Sequence, residues 1–383
     1  MRVQVNKSID DISADEWNTL AGDNPFLRHE FLAALEHSGS ADAKSGWAPL
    51  HLAYRDNQGQ LAGALPLYLK SHSYGEFVFD WAWADAYQRN GLAYYPKLVS
   101  AVPYSPVPGL RLLIAAGATR EDVAPALIAG AHVAAKELRC SSIHCLFPLE
   151  AELPEWNQGE FLTRTDTQFH WHNRDYRDFE HFLESFTADR RKKVRRERRR
   201  IAEAGIEMRM LAGDELDAGL MEALYRFYVS TYEKRGRTAY LTAAFFQEIR
   251  RTMPQALRVC FAFLHGEPVA AAICLQGGDT LYGRHWGSVQ EFHSLHFEAC
   301  YYQGIEYCIR AGLKHFNPGT QGEHKISRGF EPTYTWSAHW LADPRFRAAI
   351  DEYLQREQHQ VAAYLHETET HLPFHADREG ADD

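Results

Sequence analysis

Residues 256–276 read A-L-R-V-C-F-A-F-L, then H-G-E-P, then V-A-A-A-I-C-L-Q. Two apolar runs flank a turn, and each is too short for a buried helix, so the stretch predicts a β-hairpin with little solvent on either face. An earlier stretch has the same plan. W-A-P-L-H-L-A-Y-R (47–55) and L-A-G-A-L-P-L-Y-L-K (61–70) lie on either side of D-N-Q-G-Q. Working outward, each hairpin is preceded by a strand and two helical stretches and followed by a strand, a helix and a strand. The sequence therefore predicts a mixed α/β sheet built twice.

In the first copy the strand is Arg2 to Val5 and the helices are Ala14 to Ala21 and His29 to Ser38. Ser13 and Glu16 hold the capping-box positions of the first helix. The aromatic stretch from Tyr74 to Tyr95 reads as irregular. The proline-rich run that follows, to L-R-L-L-I, reads as an edge or a loop. A helix from Arg120 to Leu138 leads to S-I-H-C-L-F. In the second copy the helix 188–204 precedes I-E-M-R-M-L. Helices at Leu216 to Arg235 and Ala243 to Thr252 then lead to the hairpin. T-L-Y-G-R-H-W-G-S, a helix from Phe297 to Ala311, K-H-F-N-P-G-T, a last strand (333–341) and a polar helix (346–367) complete it. The expected domains are 1–150 and 179–370, joined by a charged linker, 151–178, and ending in a disordered tail, 371–383.

The chain has a formal net charge of -10, yet Arg190 to Arg200 contains nine basic residues and one acid, Glu197. The bulk acidity argues against a general nucleic-acid coat, so any polyanion is bound locally. On a helix, Val194 and Ile201 fall on one narrow seam and the arginines spread over the remaining arc. That surface is either a solvated face offset by acids from elsewhere or a phosphate-binding face, for which Arg191, Lys192, Arg195 and Arg198 are the candidates. The start M-R-V-Q-V-N-K-S-I-D-D has no apolar signal region, no window is apolar enough to span a membrane, and the six cysteines form no C-x-x-C pair. A cytoplasmic protein with reduced thiols is expected.

The segment F-N-P-G-T-Q-G-E-H-K-I-S-R-G-F-E-P-T-Y-T-W-S-A-H (316–339) sets a carboxylate, an imidazole and two cations close together: Glu323, His324, Lys325 and Arg328. A base working near neutral pH and a cation for developing charge can both come from it. The alternative is a salt-bridged strand connection. Arg284 and His285 are expected nearby. His293, His296 and Glu298 have only a weak metal-ligand pattern, and no metal is expected. In the first copy, Asp80, Tyr95 and Lys97 among aromatics line a substrate cleft or sit in the core with buried partners. No P-loop, G-x-G-x-x-G or G-x-S-x-G is present.

G-W-A-P-L-H-L, P-L-Y-L-K-S-H-S-Y-G-E-F-V-F-D-W, Y-Y-P-K-L, P-V-P-G-L-R-L-L, R-K-K-V-R-R-E-R-R, H-F-E-A-C-Y-Y-Q-G-I-E-Y-C-I and Q-G-E-H-K-I-S-R-G-F-E-P span most of residues 26 to 339. They resemble the recurring segments of the bacterial FemAB-like family of N-acyltransferases, and the doubled layout resembles two tandem Gcn5-related N-acyltransferase (GNAT) folds. The resemblance implies transfer of an acyl or aminoacyl group from acyl-CoA or charged tRNA to an amine acceptor, such as a cell-wall precursor or a small metabolite. It implies a donor held between two splayed strands with its phosphates at the following helix start. The corresponding turn, G-S-V-Q-E-F-H-S-L-H-F, lacks the Q/R-x-x-G-x-G/A signature, and the chain has no room for a long coiled-coil tRNA arm. By this resemblance Glu323 or His324 is the base, a backbone amide near Trp286 holds the carbonyl oxygen, and Tyr302 or Tyr282 protonates the leaving group. Lys325, Arg328 and the basic helix hold phosphates. The rival readings are a non-catalytic RNA- or membrane-surface-binding protein and a metal-dependent hydrolase.

Overall fold

The computed structural model of the protein describes residues 2–320 and 322–375. Two compact units emerge. One comprises residues 1–166, 240–245 and 334–362, and the other 167–239, 246–333 and the chain from 363 onward. The division differs from the expected one because the segment near the C-terminus returns to the first unit.

Unit one contains β1 (Arg2–Asn6), α1 (Ala14–Ala21), α2 (His29–His37), β2 (Trp47–Pro49), β3 (His51–Arg55), β4 (Leu61–Leu65), β5 (Tyr68–Lys70), α3 (Trp81–Arg89), β6 (Lys97–Ser100), β7 (Leu113–Ile114), α4 (Arg120–Glu137), β8 (Ser142–Leu146) and α5 (Leu153–Gln158). The expected hairpin forms, but each arm is broken. Pro66 has no N–H for a ladder, and the chain divides there into halves that join different sheets. β3 and β4 lie between β1 and β7 in an antiparallel sheet. β2, β5, β6 and β8 follow one another in the second sheet, with β6 and β8 parallel. The core between α4 and the strands is built from Leu52, Leu65, Leu98, Leu127, Ile143 and Trp156.

Several expectations are corrected here. The aromatic stretch contains α3. The proline-rich run contains β6, which is paired on both sides and is no edge; Pro96 and Pro103 flank it and cost the ladder nothing. Residues 151–178 are not a linker, since α5 and β9 (Leu162–His172) occupy most of them. Strand β9 looked like a linker because its polar residues alternate with buried Phe169 and Trp171.

Unit two contains α6 (Phe179–Glu184), α7 (Ala188–Glu203), β10 (Ile206–Ala212), α8 (Ala218–Glu233), α9 (Ala243–Thr252), β11 (Leu257–Leu264), β12 (Glu267–Gly277) and β13 (Thr280–Ser288). A short α10 (Leu295–Phe297), a π-helical turn Glu298–Tyr302 and α11 (Gln303–Ala311) form one continuous helical run. β14 (His315–Asn317) and a 3-10 turn Glu323–Arg328 follow, and then β15 (Glu331–Leu341) and α12 (Pro344–Glu369), which belong for the most part to unit one. The sheet order is β10-β11-β12-β13-β14-β9, antiparallel throughout except between β13 and β14. β15 pairs with β8 over Ser337–Leu341, within unit one.

The expected disordered tail is in part ordered. The Thr187 N–H donates to the Pro373 carbonyl, the His375 N–H to that of Ser185, and the Phe374 ring meets Phe186. Residues 376–383 lie outside the described residues. Among the described residues no helix is long and apolar enough to cross a membrane.

Helix α8 presses against β13 at Gly287, where a Cβ would stand 1.7 Å from the Phe227 carbonyl oxygen. That contact fixes the height of the helix over the strand bearing the site described below. Gly287→Ala is expected to destabilise the protein by about 1–3 kcal/mol, as overpacked cores do. Thermal unfolding of wild type and variant will measure it.

Candidate active site

β13 and β14 are paired at only three positions, Thr280↔His315, Leu281↔Phe316 and Tyr282↔Asn317. Past them β13 runs on to Ser288, while the other chain turns away at Pro318 and Gly319. Pro318 has no N–H to extend the ladder. Gly319 has φ +90°, a conformation that side-chain-bearing residues avoid. The strands part and leave a cavity of about 520 Å³. One wall is Gly283, Arg284, His285 and Trp286, and the other is Pro318, Gly319, Thr320, Gly322, His324 and Lys325. Cys300, Tyr301 and His296 lie between, and Arg235 is also in the lining.

Strand β13 is bulged where it forms this wall. Ile273 faces His285 and Cys274 faces Gly283, so Arg284 is the extra residue. Trp286 turns its carbonyl away from β12, where it accepts a hydrogen bond from Thr231 Oγ1 at 2.5 Å. A strand residue sends its N–H and C=O to the same side, so the Trp286 N–H also leaves by the edge that β14 has vacated.

The cavity lining is cationic and, among the described residues, contains no carboxylate. Burial brings the Arg284 guanidinium down to about 10, and it remains charged. Lys325 is buried, and burial, reinforced by the charge of Arg284, lowers its ammonium from 10.5 to about 7. Its Nζ donates to the carbonyls of Gly319 and Thr320, at 2.6 and 2.8 Å. A neutral amine has two N–H groups, both satisfied here, and one lone pair left over. Burial also lowers His285 to about 3 and His296 to about 4, so both are neutral. His324 sits exposed on the rim, with Nε2 2.8 Å from the Tyr301 hydroxyl. Burial of its inner side, then Arg328 and Lys325, lowers its pKa. Near pH 7 Lys325 is divided between its charged and neutral forms, so the slot holds two groups able to take up a proton, His324 and the neutral form of Lys325.

The other expected residues separate from this group. Glu323 lines a different cavity with Arg190 and Glu367, and its Oε1 accepts from the Tyr364 hydroxyl at 3.1 Å. Tyr302 is buried and donates to Glu197, so the tyrosine in the slot is Tyr301. The π-helical turn is the reason: its extra residue rotates each following side chain relative to an ordinary helix. Tyr282 is opposite Asn317 at the last paired position, outside the lining. Arg328 is buried, with Nη2 2.9 Å from both carboxylate oxygens of Glu197.

On α7 the seam of Val194 and Ile201 is buried as expected, and Glu197 joins it. Part of the arginine surface is neutralised. Arg195 pairs with Glu180 at 2.5 Å, and Arg198 pairs with Glu306 at 2.6 Å and Glu298 at 3.2 Å while lying over the Phe179 ring. Arg191 donates to the Phe186 carbonyl. Lys192, Arg196 and Arg199 are exposed and fall on one stripe. His293, His296 and Glu298 turn to separate partners: Ser294 and Arg200 for the first, Trp286 for the second, Arg198 and Gln303 for the third. Among the described residues no cluster of three metal-ligating side chains forms.

Asp80, Tyr95 and Lys97 belong to unit one, where Lys97 and Asp80 are wholly inside. Lys97 Nζ contacts Asp80 Oδ2, Glu76 Oε2 (2.8 Å) and Ser73 Oγ (2.8 Å), and Ser73 in turn meets the Tyr95 hydroxyl. Lys70, directly across the strand pair from Lys97, lies 3.6 Å over the Trp47 ring. Burial works to raise Asp80, but the Lys97 charge, His144 and the hydrogen bonds from Lys97 and Tyr94 together outweigh it and bring Asp80 to about 2. Glu76, for which burial dominates, rises to about 7. Arg235, Tyr301 and Thr320 went unnoticed in the sequence. Only Y-E-K-R-G-R, a basic loop closing a helix, gave a signal for the first.

The architecture has solved counterparts. FemX is similar with a TM-score of 0.54 at 11% identity, over 92% of this chain and 100% of that one. L-PGS from Bacillus licheniformis is similar with a TM-score of 0.51 at 10% identity, over 87% and 98%. A tandem GNAT protein from the clavulanic acid biosynthesis pathway gives 0.50 at 13% identity, over 90% and 99%. At these identities the likeness establishes the fold, a tandem GNAT architecture. No curated protein matches the chain. The FemAB-like family model, described as peptidoglycan biosynthesis/recognition, matches residues 8–376, and the chain belongs to that family.

Proposed function

We propose that unit two transfers an acyl or aminoacyl group from a phosphate-bearing donor to an amine. The carrying observation is the slot between β13 and β14, lined by cations and imidazoles with no acid among the described residues. The amine nitrogen attacks the donor carbonyl carbon, and its proton passes to His324 or to Lys325 in its neutral form. The Trp286 N–H receives the carbonyl oxygen as charge gathers there. The C–S or C–O bond to the carrier then breaks, and Tyr301 supplies a proton to the leaving group. The Cys274 and Cys300 thiols in the lining are held protonated by burial, the first up to about 12, so no covalent enzyme intermediate is required.

Arg235 and Arg284 suit the donor phosphates. The helix start after β13 suits them less, because the buried Glu298 carboxylate stands in its first turn region, tied to Arg198. This supports charged tRNA over acyl-CoA, with a cell-wall precursor as the acceptor the family description favours. The exposed stripe of Lys192, Arg196 and Arg199 supports a second reading, a polyanion-binding surface without catalysis. That reading requires affinity that falls steeply with salt and survives loss of His324.

A thermal-shift screen of CoA thioesters, UDP-linked peptides and charged tRNA tests the donor class, since a true donor raises the melting temperature by mass action. With the donor found, His324→Ala is expected to lower kcat about 10²-fold or more while leaving donor affinity near wild type. An unchanged kcat would remove His324 from the mechanism. Lys325 gives a second test, without substrate. Its folded pKa lies below the ordinary value, so the unfolded chain binds more protons between about 7 and 10.5. The stability of the wild type therefore falls as pH drops across that window. Lys325→Met lacks this dependence, and its stability relative to wild type should improve by at most about 1.4 kcal/mol per pH unit from pH 10 to pH 7. Denaturant melts at the two pH values will measure it.

A further inference from the structure

Glu197 is the one acid inside the nine-cation run of α7. On an exposed helix, an acid in that place would be expected to pair with cations one turn away. It does not. It faces inward between Val194 and Ile201 and is 6% exposed. Both its oxygens accept from Arg328 Nη2, at 2.9 Å each, and Oε2 also accepts from the Tyr302 hydroxyl. Arg328 Nη1 donates to the main-chain carbonyl of His324 at 2.7 Å, and its guanidinium lies 3.5 Å over the Phe297 ring. Phe297 in turn packs beside the His324 ring.

The turn that carries His324 needs such an anchor. Glu323–Arg328 is a 3-10 turn with glycines at both ends, Gly322 at φ +114° and Gly329 at φ +84°. Gly329 is packed against Phe182 and Phe186, whereas glycine's backbone freedom leaves the Gly322 end less constrained. The buried Ile326 and the Tyr364 contact of Glu323 hold part of what lies between, and two cations add to them: Lys325, tied to carbonyls of its own loop, and Arg328, tied to α7. Around the His324 ring stand the Tyr301 hydroxyl, the neutral His296 ring at 5.9 Å, and the charges of Lys325 and Arg328. Burying Arg328 without a counter-charge is costly, so the path from α7 to the rim of the slot depends on a carboxylate at position 197.

We infer that Glu197 is a positioning residue for the transfer reaction: through Arg328 it holds the His324 turn against the slot, and it makes the basic helix part of the active site. This rests on the reading that His324 works in the slot. Its test has a readout independent of turnover. In protein labelled at histidine, ring NMR signals are followed against pH for wild type and Glu197→Gln, with the single His324→Gln variant assigning the signal. Gln keeps the shape and loses the charge. Arg328 is then uncompensated, and the proton affinity of His324 is expected to fall about three- to tenfold, with its signal broadened by motion of the turn. Once a donor is known, kcat should fall about tenfold with the donor KM within about twofold, the pattern of a lost transition-state alignment.

An unchanged His324 titration and line width in a folded Glu197→Gln protein overturns the inference, even if the melting temperature drops, because Glu197 is then only a packing residue. Should Glu197→Gln fail to fold, Arg328→Lys keeps the charge and gives up the guanidinium fork. It must broaden the His324 signal, and a sharp, unshifted signal there also overturns the inference. If Glu197→Gln moves the His324 signal but His324→Ala transfers at the wild-type rate, the positioning stands and the catalytic reading fails.

Discussion

Three residue pairs join β13 to β14, and the chemistry of unit two depends on their being no more than three. A longer ladder would close the sheet and cover the edge from which the Trp286 N–H leaves. The imino acid at 318 and the backbone excursion at 319 end the pairing, and the same turn then returns its carbonyls to Lys325. One local event thus opens the space, frees a donor on one wall and seats a proton acceptor on the other. The bulge at Arg284 adds to it by swinging the opposite wall out of regular register.

Cationic side chains meet three fates, and the sorting gives the surface its meaning. Arg195, Arg198 and Arg328 are matched by carboxylates. In the slot, Arg284 and Lys325 are buried, where charge is expensive and therefore chemically responsive. Lys192, Arg196 and Arg199 face water. Unit one solves the same problem differently. Lys70 and Lys97, side by side across a strand pair, are offset by Glu76 and Asp80 from the segment between β5 and α3. That network extends from Asp80 through Tyr94 to His144, whose Nδ1 lies 2.7 Å from Nδ1 of His339. Only one of those two nitrogens can carry the proton between them.

The doubled architecture was legible in the sequence because it is written in hairpins, and apolar runs around Gly-containing turns survive any tertiary context. The Val194–Ile201 seam was legible for a similar reason, since helical periodicity is a local property. Three things were not. Strand β9 carries eight polar residues to three apolar ones and looks like a linker until Phe169 and Trp171 find their neighbours. A π-helical turn leaves no mark in composition, so Tyr301 and Tyr302 were indistinguishable. The direction of a side chain in a 3-10 turn depends on its caps, and Glu323 and His324, adjacent in the chain, end in different cavities. The residue types at the site were readable. Which of them face one another was not.

The return of β15 to unit one has a consequence for synthesis on the ribosome. β8 finds its antiparallel neighbour in Ser337–Leu341, almost two hundred positions later in the chain. While the nascent chain emerges, the first fold stands with one sheet margin bare, its main-chain groups available to any other strand. Completion of the earlier half therefore waits until the later half has been translated. The two copies mature together rather than in turn.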